Sequence, residues 1–171
     1  MMPANLVSRQ LTIDGDIGDV SQHFYQQGWT DGLPIIPPTH EAVIEMLSHL
    51  GGDPQDVIAT IPPRWAKATC EKIAVNAVMA GCLPEYMPLL LAAVKAISHP
   101  TFNLHGIQAT THPCGVLLLI NGPIRRALGV NSGAGAFGPC WQANATIGRA
   151  MRFILLNIGG AVPGLTDFST Q

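Results

Sequence analysis

Charge is scarce in this sequence. It holds 9 Lys and Arg against 11 Asp and Glu in 171 residues, so 12% of the chain is charged, about half the ~25% of an ordinary soluble domain. No basic run occurs and the formal net charge is −2, which argues against nucleic acid as a partner. Long apolar runs are missing too. The clean ones, 89–94 and 116–120, fall far short of the ~20 residues a spanning helix needs, so no membrane partner is expected. The start, MMPANLVSRQLTIDGD, lacks a charged segment followed by an apolar core and does not read as a signal peptide. Cys70, Cys82, Cys114 and Cys140 form no CxxC pair, which suits a reducing cytoplasm better than a disulfide framework. No Ser-His-Asp ordering, close carboxylate pair or internal repeat stands out.

What is present is a chain that is 47% apolar and long enough for one domain with a real core. So few charges make a thin skin for a small monomer, whose surface is large relative to its volume. The expectation is an obligate oligomer in which other subunits cover part of the surface.

The pattern predicts an α+β fold, with buried apolar helices packed on a small sheet of short strands. Residues 1–30 read as an N-terminal arm with a short helix near 20–29. Residues 31–164 read as a single globular domain and 165–171 as a C-terminal tail. Pro34, Pro37 and Pro38 enforce an extended segment. Thr39 caps a helix at 40–50, which Gly51 and Gly52 stop. A short strand is expected at 57–61. Thr69 caps a second helix that is apolar nearly all round, hence buried. Pro84 opens a third. A strand is expected at 115–121 and a long helix at 140–158.

Four sets of residues carry candidate chemistry. The loop NSGAGAFGP (131–139) enters a helix, where unpaired N–H groups favour an anion. Arg125, Arg126 and Arg149, with Asn131, Ser132, Gly133 and Gly135 of the loop, make a candidate anion site; close packing alone would equally call for the glycines. The stretch FNLHGIQATTHPCG (102–115) sets His105, His112 and Cys114 beside the expected strand. These are ligand types for a divalent metal, zinc or iron, and Glu71 and Cys82 could complete a sphere. Against that, H-x6-H-P-C is not a recognised metal signature, and the alternative is that each histidine bonds locally or faces a subunit interface. Cys140 and Cys70 stand at helix starts, where an exposed thiol gains acidity; buried cysteines are usually inert. Asn76 and Asn144 are amides within apolar helices, and each needs a defined partner.

Several blocks taken together say more: DGLPIIPPT (31–39), EKIAVNAVMAGCLPEYMPLLLAAV (71–94), FNLHGIQATTHP (102–113), NGPIRRALGVNSGAGAFGP (121–139) and ANATIGRAMR (143–152). They resemble a family of bacterial proteins of unknown function, found beside or fused to a module with a selenocysteine- or cysteine-Gly-Ser-Cys motif. This chain has no such run, so the resemblance implies that any redox dyad lies on another polypeptide. It also implies that relatives continue beyond VPGLTDFSTQ, and hence a split enzyme.

The expected function is therefore a subunit of a cytoplasmic hetero-oligomeric enzyme for a small anionic organic substrate. Arg125, Arg126, Arg149, Asn144 and the loop would hold the substrate. His105 or His112 would be the general acid/base, with Cys82 and Glu71 as further catalytic candidates. Lyase or hydratase chemistry is favoured. The alternatives are a thiol-dependent oxidoreductase subunit, or a structural subunit shaping a partner's site.

Overall fold

A computed structural model of the chain describes residues 6–169. The fold is α+β: seven α-helices pack on one two-stranded antiparallel sheet. In chain order they are α1 (Ile17–Gln26), α2 (His40–Leu47), β1 (Val57–Ile61), β2 (Ala66–Thr69), α3 (Cys70–Ala80), α4 (Met87–Ile97), α5 (Leu104–Ala109), α6 (Pro123–Ala127) and α7 (Gln142–Phe153). Among the described residues no helix is long and apolar enough to cross a membrane.

The centre of the fold is α3, and its sequence explains why. The Thr69 hydroxyl accepts from Lys72 N–H at 3.3 Å, and Gly81 ends the helix in the left-handed region at φ 84°. Both are strong helix boundaries. Ile73, Ala74 and Ala77 are fully buried, and α3 packs against α2, α4, α7 and the segment that follows α7. Deleting a buried Ile side chain here would cost about 2–5 kcal/mol.

Some elements differ from expectation. Helix α1 starts at Ile17 because Asp16 and Asp19 form a reciprocal capping box. The long helix expected at 140–158 is two elements. It is α-helical only for Gln142–Phe153, and Ile154–Gly159 widen into a π-helix. The expected strand at 115–121 is extended but pairs with nothing. Among the described residues, no hydrogen bond ties its backbone. Val116, Leu118 and Ile120 pack on the core, while Leu117 and Leu119 point outward at 59% and 86% exposure. The strand β2, absent from the sequence reading, pairs with β1 in the register Ile61↔Ala66 and Thr60↔Lys67, with a bulge between Val57 and Ala59. The tail is docked where it is described: Asp167 pairs with Arg152 at 3.0 Å, and Phe168 N–H donates to the Gln108 carbonyl.

Candidate functional site

Among the described residues, no hydrogen bond or ion pair joins the residues expected to be catalytic. His105 is exposed and its ring lies 5.8 Å from that of Trp65. His112 is exposed and meets the Thr110 hydroxyl at 3.2 Å. Cys114 is half-buried. Among the described residues, no group of three or more His, Cys, Asp or Glu could hold a metal ion. Cys82 is buried, and that burial pushes its thiol up to about 12, so it carries no thiolate near neutral pH.

Most of the expected anion site is spent on structure, although the exposed Arg126 side chain has no hydrogen-bond or ion-pair partner among the described residues. Arg149 grips Asp31 through two bonds, Nε to Oδ2 at 2.7 Å and one terminal nitrogen to Oδ1 at 2.8 Å. It also donates to the carbonyls of Leu33 and Pro34 and lies over the Phe153 ring. Burial raises the Asp31 carboxyl, but the bonds from Arg149 and from Leu33 N–H outweigh it and hold it below its ordinary value. Arg125 donates to the Val130 carbonyl at 3.2 Å, and Arg126 sits in the last turn of the short α6. Asn144 clamps the loop by accepting from Asn131 N–H and donating to the carbonyls of Asn131 and Ala136. Asn131 in turn accepts from Gly133 N–H. The loop's glycines are therefore part of a closed turn, with Gly135 at φ 78° and Ser132 exposed beside it.

A different cleft stands open. Its smaller part, of about 320 Å³, is lined by Ser8, Arg64, Lys72, Asn76 and Asn157, among others. A larger part, of about 980 Å³, shares Ser8, Arg64, Asn76 and Asn157 and extends along Phe24, Trp29 and Leu156. Four pieces of chain build the smaller part, namely the arm, the β1–β2 hairpin, α3 and the π-helix, and the larger part adds α1 with the turn after it and the segment 37–43. Residues 6–13 of the arm form one wall. The arm is held by Glu71, which accepts from Ser8 N–H at 2.8 Å, from Val7 N–H at 3.1 Å and from the Gln55 amide. Glu71 thus enters the site, but as a latch. Burial raises its carboxyl, and the bonds from Ser8, Val7 and Gln55 more than offset this, leaving it below 4.5.

The polar floor is fixed. Asn157 donates to the Trp29 carbonyl at 3.0 Å and to Asn76 Oδ1 at 2.7 Å. Asn76 donates to the Lys72 carbonyl at 2.9 Å. The π-helical turn aims Asn157 at α3, and such turns recur at functional sites. Above this floor lies Arg64. Its backbone N–H donates to the Gly159 carbonyl at 2.9 Å. Its side chain lies over Gly160, where a Cβ would overlap Cδ and Nε of Arg64. Gly160 also needs its glycine for φ 74°. Among the described residues the Arg64 guanidinium has no hydrogen-bond or ion-pair partner. Lys72 gives one bond, to the Lys67 carbonyl.

Sequence reasoning singled out Asn76 and Glu71 but not Arg64, Lys72 or Asn157. Arg64 follows Pro62-Pro63 at a strand end, and that was the available signal. The chain matches no family model, no curated protein and no solved structure.

Proposed function

We propose that this chain binds a small anionic organic molecule in the strapped cleft, as one subunit of a larger enzyme. Arg64 carries this reading. Its unspent planar donor fork suits a carboxylate or phosphate, and two cations with no carboxylate line the smaller cavity. The test is thermal melting of wild type and Arg64→Ala with millimolar acetate, succinate and inorganic phosphate. Ligands of the native state raise the melting temperature by mass action. At least one anion should stabilise wild type, with affinity reduced tenfold or more in Arg64→Ala. No stabilisation by any anion, or equal stabilisation of both proteins, overturns the reading.

For lyase or hydratase chemistry, the lining supplies one imidazole, that of His40 at the start of α2. No cysteine lines either cavity, so thiol chemistry would draw its nucleophile from a second polypeptide. That agrees with the resemblance to proteins accompanying a selenocysteine- or cysteine-Gly-Ser-Cys module. Four free cysteines favour a reducing cytoplasm as the compartment.

Assembly with a second subunit is supported by the extended segment 115–121. Unpaired backbone groups and outward Leu117 and Leu119 offer a partner both hydrogen bonds and apolar area. Native mass spectrometry of the chain expressed with its neighbouring genes should show a complex with a second polypeptide. Leu119→Lys should release that partner. A wild-type monomer would overturn the assembly.

A further inference from the structure

The cleft has two chemically different ends, and their junction dictates what fits. The smaller end carries Arg64 and Lys72. The larger end carries Arg9, Arg64 and Glu71, but most of its remaining wall is apolar. Phe24 and Trp29 meet edge to face there, with ring centroids 5.3 Å apart, and Pro37, Pro38 and Leu156 continue the surface. Its volume, about 980 Å³, lies at the upper end of the range for organic ligands. A simple inorganic ion would leave that wall wet and its apolar area unused. A neutral apolar molecule would draw nothing from Arg64 and Lys72, the two cations at the smaller end.

Resting on the anion-binding reading above, we infer that the ligand is an amphipathic carboxylic acid. Its carboxylate pairs with Arg64 and Lys72 beside the Asn76–Asn157 floor, and its apolar body lies along Phe24, Trp29 and Leu156. Glu71 stays ionised, but the N–H groups of Val7 and Ser8 and the Gln55 amide turn the positive ends of their dipoles toward its oxygens and so weaken its field in the cleft. The binding is non-covalent, and the arm closes over the junction through Ser8, which lines both cavities.

The test is isothermal titration of the full chain with butyrate, hexanoate, octanoate and decanoate, and with octanol as the uncharged analogue. Each methylene buried in the larger cavity should tighten Kd about fourfold, so octanoate should bind roughly two-hundredfold tighter than butyrate. Arg64→Gln should weaken all the acids by a similar factor and leave the dependence on chain length intact. Arg64 is exposed, so this variant keeps its core. Affinity independent of chain length, but still lost in Arg64→Gln, overturns the amphipathic ligand and leaves the anion site standing. Acids that do not bind, or bind Arg64→Gln equally, overturn both. Octanol binding as tightly as octanoate overturns the carboxylate end.

Discussion

Glu71→Gln isolates the latch that holds the arm. The Glu71 side chain is buried at 1% exposure and receives Ser8 N–H at 2.8 Å and Val7 N–H at 3.1 Å. Glutamine keeps one acceptor and turns an NH₂ donor toward the donors on the other side, so at least one bond to a charged group is lost and those that remain become neutral. That costs about 2–3 kcal/mol of docking, which multiplies the open-arm population by roughly thirty to a hundred and sixty. Arg9 lies on the arm just past the latch, so trypsin cleavage after Arg9 reports the open population when opening is fast. Cleavage should accelerate by that factor, while the urea midpoint of the domain moves far less. An unchanged cleavage rate would show that Glu71 does not hold the arm. Acceleration only in step with global unfolding would show that the arm belongs to the core. Acid supplies a second readout. The folded carboxyl lies below its ordinary 4.5, so its contribution is complete above that value and is lost as pH falls through the folded value. The amide resonances of Val7 and Ser8 should shift below about pH 4.5 in wild type, and this step should vanish in Glu71→Gln.

Arg149→Lys should lower stability by about 1 kcal/mol, because a point charge cannot replace the two-pronged grip on Asp31. The melting temperature should fall by roughly 2–4 °C, and no change would show the pair to be energetically idle. Iodoacetamide at pH 8 should label exposed Cys140 in the native protein and leave Cys82, with its thiol pushed to about 12, unlabelled until unfolding. Mass spectrometry of the labelled peptides distinguishes the two, and equal native labelling would show Cys82 to be accessible.

Local rules carry far along this chain and then stop. Helix α3 is legible because its signals are contiguous: Thr69 caps it, Gly81 ends it, and apolar residues fill the turns between. The widening after Phe153 is not, since nothing at 154–159 differs from an ordinary apolar helix until its packing against β1 and β2 is known. The segment 115–121 satisfies a strand's composition, yet pairing needs a second edge that the described residues do not provide. The site fails for a related reason. Polar residues clustered in sequence, at 102–115 and 131–139, resolve into local bonds and a closed turn. The cleft instead draws Ser8, Arg64, Lys72, Asn76 and Asn157 from four separate stretches. Only Asn76 announced itself, as an amide in an apolar helix that had to have a partner; that partner proves to be Asn157.

Arm and ligand are then linked through one carboxylate. With the arm docked, the Glu71 oxygens are occupied by backbone N–H groups and Ser8 completes the junction of the two cavities. With the arm lifted, the same carboxylate faces the cleft uncompensated, and one wall is gone. An anion at Arg64 therefore meets a less negative and better enclosed site when the arm is down. Linkage requires the converse, so the bound anion must favour the docked arm by the same factor. Glu71→Gln acts in both directions at once, since removing the charge helps the anion while releasing the arm removes Ser8. Across a solvated cleft the charge term is about 1 kcal/mol or less at several ångströms. The enclosure term is set by how far the docked fraction falls, not by the docking energy itself. The variant therefore binds the anion more weakly when the open arm becomes its main form and slightly more tightly when the docked arm still dominates, and the cleavage rate after Arg9 tells which.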